Sequence, residues 1–133
     1  MENLAQTIAD KFMLVDLPGY GFAKVSANQR IGWGKLIVYY LQNSDSLRMV
    51  NLLIDARRGI KKNDVEIMHL LKSCDKEFQI IFTKADKITG ISEFTSQMRQ
   101  QLSDSGFACN IIITSSKNGA GAKELQGSML RGL

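Results

Sequence analysis

The sequence predicts an α/β protein in which a twisted parallel sheet is the middle of three layers, with helices on both faces. Two observations support this fold class. Apolar runs alternate with amphipathic stretches along the chain, which is typical of βαβ units. The apolar runs are also nearly continuous, as expected for strands that are covered on both faces. The chain has 133 residues, of which 44% are hydrophobic and 23% charged, and it fits one globular domain over residues 1–133.

Four apolar runs predict the strands, which cover residues 12–17, 49–55, 78–83 and 111–114. Right-handed crossovers between successive parallel strands place the connecting helices on the two faces of one sheet. Ligands of such sheets bind at the carboxyl ends of the strands. A binding site is therefore expected in the loops that follow the four strands.

Polar residues that precede apolar stripes predict where the helices begin. Ser26 is expected to cap the first helix and Asn63 the second, because both side chains accept hydrogen bonds from the exposed N–H groups of a first turn. Ser92 opens the third predicted helix, and the last begins near Ala122. Apolar residues recur three and four positions apart in these segments, which gives each helix a buried stripe.

Composition narrows the possible partners without selecting one. The formal net charge of +4 allows RNA or another anionic partner. Residues 57–62, four of which are Lys or Arg, are either a solvated loop or a contact for phosphate backbones. Cys74 and Cys109 lack metal-site spacing and are expected to be reduced structural thiols. No apolar run approaches the ~20 residues of a membrane helix, so no membrane partner is expected.

The first of three polar motifs ends the strand over residues 12–17 and consists of Asp16, Leu17, Pro18 and Gly19. The Asp16 carboxylate can hold Mg²⁺ through water, because this ion keeps part of its hydration shell. Gly19 lets the backbone approach a terminal phosphate and donate its N–H. The alternative is a simple strand-ending turn, since Asp, Pro and Gly are common turn residues.

The second motif follows the strand over residues 78–83 and consists of Thr83, Lys84, Ala85 and Asp86. An ionised carboxylate only accepts hydrogen bonds, so Asp86 matches the N1–H and exocyclic amine of guanine, which adenine lacks. The aliphatic stem of Lys84 can cover the plane of a base while its ammonium stays in water. On its own, this motif is also compatible with solvated loop charges.

The third motif follows the last predicted strand and consists of Thr114, Ser115 and Ser116, with Lys117 after them. The backbone N–H of Ser116 is placed to donate to the guanine O6, a contact that the amine of adenine would repel. A Ser- and Gly-rich loop is the alternative for this segment alone. Three motifs in this order, each at a strand end, favour a fold derived from a GTPase.

The chain resembles the EngB (YihA/YsxC) family of bacterial and organellar small GTPases. The resemblance rests on residues 16–25, on Trp33, Lys35, Leu36, Ile37, Tyr40 and Leu41, and on residues 53–59 and 83–87. In this family threonine often opens the base motif, as Thr83 does here. The match covers nearly everything from Lys11 to the end of the chain.

The resemblance implies a TRAFAC-class P-loop GTPase that binds GTP or GDP with Mg²⁺ in a bacterial cytoplasm or an organellar matrix. It implies a role in assembly of the large ribosomal subunit, with the subunit or its rRNA as partner, and in cell division. The residues of the three motifs are then the GTP-binding residues, and Asp16 contacts Mg²⁺ through water. Tyr20 occupies the position of the glutamine that positions water in Ras-like proteins, so no catalytic residue is expected.

The sequence departs from this family at its front, because it contains no Gly-x-x-x-x-Gly-Lys-Ser/Thr phosphate loop. The expected fold is therefore an incomplete G domain without its first strand, phosphate loop and first switch segment; a natural truncation, a start-site error and a fragment are all compatible with it. Without that loop, we expect nucleotide affinity near about 1 mM and negligible hydrolysis. The absent strand would lie between the strands that end at Asp16 and Asp55. Open edges there predict association, as a homodimer.

Two other classes of function stay open at this point. A degenerate G domain that binds RNA or the ribosome without nucleotide would fit the absent phosphate loop and the basic residues 57–62. A flavodoxin-like or receiver-like domain would fit the pattern of strands and helices. The latter leaves the order of the three motifs unexplained.

Overall fold

The computed structural model describes residues 4–8, 12–16 and 27–131, with side chains described at Leu14, Val15 and residues 34–131. The chain forms two compact units, one within Met1–Asp45 and the other within Ser46–Gly132. Among the described residues, no helix has both the length and the apolar character that crossing a membrane requires.

The first unit contains a two-stranded antiparallel sheet and one helix. Strand β1 (Leu4–Ile8) pairs with β2 (Phe12–Asp16), so that Leu4 lies opposite Asp16 and Ile8 opposite Phe12. Helix α1 spans Ala27–Asn43. Its buried residues Ile37 and Leu41 are four positions apart, as the predicted stripe requires. The predicted cap Ser26 lies outside the described residues.

The second unit is a parallel sheet with helices. Its strands are β3 (Val50–Asp55), β4 (Phe78–Thr83) and β5 (Ile111–Ile113), in the spatial order β3-β4-β5. Its helices are α2 (Lys62–Ser73), α3 (Ile91–Asp104) and α4 (Ala122–Leu130), and a short 3₁₀ helix covers Ala85–Lys87. The predicted parallel α/β architecture is therefore confirmed. Among the described residues, strand β2 pairs with β1 and with no strand of this parallel sheet.

Strand β4 is the centre of the sheet and carries helices on both of its faces. Gln79, Ile80, Ile81 and Phe82 are all buried in succession. Successive side chains of a strand point to opposite faces. The Phe82 ring packs edge-on against Phe94 of α3 at 4.9 Å between ring centroids. Gln79, on the opposite face, accepts a hydrogen bond from Ser128 of α4. Helices α3 and α4 thus lie on opposite faces, which gives the three predicted layers.

The buried amide of Gln79 joins three segments at the amino end of the sheet. It donates to Asn51 Oδ1 at 2.7 Å and accepts from Asn110 Nδ2 at 3.1 Å and from Ser128 Oγ at 2.9 Å. A polar group that is 2% exposed is costly unless such partners satisfy it. Here the network ties β3, the segment before β5 and helix α4 together.

Strand β3 is incompletely covered on one of its faces. Leu52 and Ile54 are buried, but Leu53 between them is 64% exposed. The expectation that every strand is covered on both faces is therefore wrong at Leu53 of β3. Since β3 pairs only with β4 among the described residues, it is an edge strand, and an apolar side chain lies open beside that edge.

The starts of α2, α3 and α4 lie close to their predicted positions, but one predicted cap is replaced by another residue. In α2 it is Asp64, not Asn63, that acts in the first turn, because its Oδ2 accepts the backbone N–H of Lys61 at 2.7 Å. Helix α3 begins at Ile91 after the left-handed Gly90, one residue before the predicted start at Ser92. Helix α4 begins at Ala122 as predicted.

Candidate functional site

The carboxyl ends of β3, β4 and β5 meet at one edge of the sheet, called here the carboxyl edge. Asp55 of β3 is the register partner of Thr83 in β4, and Phe82 is the partner of Ile113 in β5. The loops that follow these strands, which carry the second and third sequence motifs, are therefore neighbours. Parallel pairing places them where α/β sheets bind their ligands.

Backbone hydrogen bonds continue past the strands and join these loops to one another. The Ala56 N–H donates to the Thr83 carbonyl at 2.8 Å, and the Ala85 N–H donates to the Thr114 carbonyl at 3.0 Å. The Thr114 hydroxyl also donates to the Phe82 carbonyl at 3.0 Å. The second and third motifs thus form one bonded surface rather than two independent loops.

Lys84 has a left-handed backbone that turns the chain sharply after β4. Its φ of 58° is a conformation that costs a residue with a Cβ of order 1 kcal/mol, and such strain concentrates at functional sites. The turn leads into the Ala85–Lys87 3₁₀ helix, which the buried Ala85 anchors. The Lys84 side chain itself stays 58% exposed, available to lie along a ligand.

Asp86 is held by a buried hydroxyl from the third motif. Ser115, which is 2% exposed, donates from Oγ to Asp86 Oδ1 at 2.7 Å. This bond lowers the pKa of Asp86 below its ordinary value of 3.8; its own backbone N–H and the charges of Lys87 and Lys117 act in the same direction, against the effect of burial. At neutral pH the group is a fixed carboxylate that accepts hydrogen bonds and donates none.

The loop after β5 is closed on itself. The Ser115 N–H donates to the Ala120 carbonyl at 3.1 Å, and the Gly119 N–H donates to the Ser115 carbonyl at 2.9 Å. Gly121 must be glycine, because it has a φ of +76° and a Cβ there would overlap the carbonyl oxygen of Ile113. Ser116 is exposed at the surface of this loop.

Asp55 is a site residue that the sequence motifs do not include. Its pKa is lowered to about 2, first by the side-chain hydrogen bond of Arg57 and then by the Arg57 backbone N–H and the charges of Arg57 and Lys84, against the effect of burial. The sequence signal that points to it is an aspartate at the end of a predicted strand, followed at once by arginine.

Most of the first motif lies outside the described residues. Asp16 ends β2, but its side chain and residues Leu17, Pro18 and Gly19 lie outside the described part of the chain. In the described part, no group of three or more His, Cys, Asp or Glu side chains is arranged to hold a metal ion. The Mg²⁺ contact of Asp16 stays a prediction.

The sequence is similar to bacterial proteins named "Probable GTP-binding protein EngB". It is 48% identical to the protein from Rickettsia felis over 124 residues, which are 93% of this chain and 58% of that protein. The Rickettsia prowazekii protein is 49% identical over 121 residues, which are 91% of this chain and 56% of that protein. The chain therefore spans somewhat more than half the length of these relatives. No protein-family model matches it.

Solved structures of GTP-binding proteins share the fold. A crystal structure of a probable GTP-binding protein EngB matches with a TM-score of 0.76 at 20% identity, covering 96% of this chain and 79% of that one. The Era protein, solved with MgGDPNP and nucleotides 1506–1542 of 16S ribosomal RNA, matches with a TM-score of 0.70 at 21% identity, covering 96% of this chain and 42% of that one. The predicted P-loop GTPase fold is confirmed, with three parallel strands among the described residues.

Replacing Gly121 with alanine is expected to destabilise the protein by more than about 3 kcal/mol, because the new Cβ adds a backbone overlap to left-handed strain. Gly119→Ala is the matched control: its φ is +77°, but a Cβ there meets nothing within 4 Å, so only the strain of about 1–2 kcal/mol applies. Urea unfolding followed by circular dichroism measures both. Equal losses for the two variants would contradict the overlap.

Ser115→Ala is expected to raise the pKa of Asp86 toward its ordinary value, since it removes the largest cause of the depression. A depressed carboxylate pKa stabilises the fold at a pH above the ordinary pKa, and this stabilisation is lost as the pH falls through the folded-state pKa. The variant should lose less stability on acidification. Carboxyl-carbon NMR titration measures the pKa, with the exposed Ser103→Ala as control. An unchanged Asp86 titration would count against the role of Ser115.

Proposed function

The chain belongs to the EngB family of GTP-binding proteins, and on this premise we propose that it recognises guanine nucleotides as one partial G domain over residues 1–133. The observation that carries the proposal is the Ser115–Asp86 hydrogen bond of 2.7 Å. It holds an ionised acceptor at the carboxyl edge, next to a lysine with an exposed stem.

We propose that Asp86 accepts the N1–H and the exocyclic amine of guanine, a pair of donors that adenine does not offer. The Lys84 stem covers the base, and the Ser116 backbone N–H donates to O6. Thr83, Ala85 and Thr114 set the spacing of the two loops, which the bond from the Ala85 N–H to the Thr114 carbonyl holds together at 3.0 Å. Asp16, Leu17, Pro18 and Gly19 are proposed as further GTP-binding residues, as the resemblance implies.

Phosphate binding is the weak part of the proposed site. The 133 residues contain no Gly-x-x-x-x-Gly-Lys-Ser/Thr motif, which would supply a nest of N–H groups and a lysine. Base contacts contribute about 1.5–3 kcal/mol each, and ordering the side chains and the nucleotide costs part of this free energy. The expected dissociation constant is therefore about 1 mM. Mg²⁺ would contact Asp16 through water, and its chemistry is to neutralise phosphate charge. We assign no catalytic residue.

Ribosomal RNA of the large subunit is the partner that we propose, in assembly of that subunit and, as the resemblance implies, in cell division. Arg58, Lys61 and Lys62 are exposed beside the carboxyl edge, and such cations bind phosphate backbones. Arg57 is less available, because the Asp55 carboxylate holds it. The proposed location, a bacterial cytoplasm or an organellar matrix, follows from this role.

A second candidate function is RNA or ribosome binding without nucleotide. The exposed cations Arg58, Lys61 and Lys62 favour it, since they need no phosphate loop to act. Binding of this kind falls steeply with salt concentration. A salt-sensitive association with ribosomes that GDP does not change would support this candidate over the first.

We also propose that the chain associates with a second copy through β3. This strand pairs on one side only within the described residues, and Leu53 exposes an apolar side chain beside the unpaired edge. Unpaired backbone N–H and C=O groups at an open edge are a template for another strand.

GDP is expected to shift the proton–nitrogen NMR signals of residues 83–86 and 114–116, with a dissociation constant of about 1 mM. ADP is expected to leave these signals unchanged at concentrations up to about 10 mM. IDP, which lacks the exocyclic amine, should bind more weakly than GDP. Asp86→Ala should weaken GDP binding at least about tenfold, since it removes two hydrogen bonds.

The matched control for this titration is Asp104→Ala, which removes an exposed carboxylate from the end of α3. It should leave the GDP titration unchanged. Equal shifts with GDP and ADP, or GDP binding that survives Asp86→Ala, would contradict guanine recognition.

Sedimentation velocity is expected to show a dimer whose fraction rises with protein concentration. Leu53→Lys should shift the population toward monomer, because it places a charge beside the open edge of β3. Leu130→Lys, at a residue of α4 that is 48% exposed, serves as control and should leave the dimer intact. A monomer at the highest concentration tested would contradict the proposal.

A further inference from the structure

One carboxylate at the carboxyl edge contacts two cations. Asp55 Oδ2 lies 2.7 Å from Arg57 Nη2 and 3.7 Å from Lys84 Nζ. Its other oxygen, Oδ1, accepts Arg57 Nε–H at 3.1 Å and the Arg57 backbone N–H at 2.9 Å. Asp55 thus joins the first residue of the basic segment to the lysine of the base motif.

The Asp55 carboxylate is held rigidly enough to act as an anchor. The guanidinium fork of Arg57 engages both of its oxygens, which is the geometry that fixes a carboxylate most firmly. Its backbone is also fixed, since Asp55 pairs in register with Thr83. The side chain is 19% exposed, so it is close to the surface and available to Lys84.

Lys84 needs an anchor if its stem is to lie across a base. The side chain is 58% exposed and has four rotatable carbon–carbon bonds, so in water it populates many rotamers. The left-handed backbone sets the direction in which it leaves the chain. A fixed anion 3.7 Å from Nζ restricts the other end.

We propose that Asp55 is a positioning residue for base recognition: it holds the Lys84 ammonium at the carboxyl edge, so that the aliphatic stem is already placed over the base site. Asp55 itself does not touch the nucleotide. The inference rests on the proposed function, because it names what orders one of the residues of that site. An exposed ion pair of this kind adds little to folding stability. The expected effect of removing it is therefore a weaker affinity for nucleotide rather than a less stable fold.

The test combines a double-mutant cycle with a direct view of Lys84. Asp55→Asn keeps an oxygen for the Arg57 backbone N–H but removes the charge. It should weaken GDP binding about three- to tenfold, as expected for one side chain that must now be ordered on binding. In a Lys84→Ala background, the same substitution should have no further effect. Asp104→Asn is the charge-matched control.

Side-chain NMR of Lys84 without nucleotide reports on positioning alone. The two Hε protons of Lys84 should have distinct chemical shifts in the unsubstituted chain, and these shifts should converge in Asp55→Asn. If Asp55 had only a structural role, the substitution would leave the two shifts unchanged. Circular dichroism and the thermal midpoint verify that each variant is folded.

The outcomes separate the two claims. If the unsubstituted chain shows no GDP-dependent shifts, the proposed function is overturned, and the base-recognition role of Asp55 with it. If GDP binds but Lys84 is unaffected in Asp55→Asn, or the loss of affinity is as large in the Lys84→Ala background, the role of Asp55 alone is overturned. Convergence of the Hε shifts, together with a loss of affinity that disappears without Lys84, supports the inference.

Discussion

The parallel register of β3, β4 and β5 is the constraint on which the rest of the site depends. It makes Asp55 the neighbour of Thr83 and Phe82 the neighbour of Ile113, although these pairs are about thirty residues apart in the chain. The same pairing continues as backbone bonds between the loops beyond the strands. A slip of one residue would turn every side chain of a strand to the opposite face and would separate the two motifs.

Short hydrogen bonds, rather than burial, hold the two carboxylates at the carboxyl edge in their ionised form. Ser115 holds Asp86, and Arg57 holds Asp55, and in both cases the hydrogen bond is the largest cause of the lowered pKa. Both carboxylates are therefore ionised at neutral pH and already oriented. Such preorganisation lowers the cost of binding a ligand at this edge.

The local sequence pattern was sufficient to predict those elements whose position depends on one segment of the chain alone. The strand over Phe78–Thr83 and the start of α4 at Ala122 agree with the predictions, because a continuous apolar run and a stripe of apolar residues are local signals. The cap predicted at Asn63 was wrong, since several polar residues near a helix start compete to accept its first N–H groups. Leu53 was expected to be covered, but an apolar run does not reveal whether both faces of its strand are packed.

The sequence by itself determined the α/β class, the order of the three motifs and the resemblance to the EngB family, since each of these depends on residue types and spacing along the chain. Only the tertiary structure decided that the Ser115 hydroxyl bonds Asp86, that Asp55 contacts both Arg57 and Lys84, and that Leu53 is exposed. The reason is physical: Ser115 and Asp86 are 29 residues apart, and a hydrogen bond between such side chains exists only once the register of the sheet and the turns beyond it have fixed both in space.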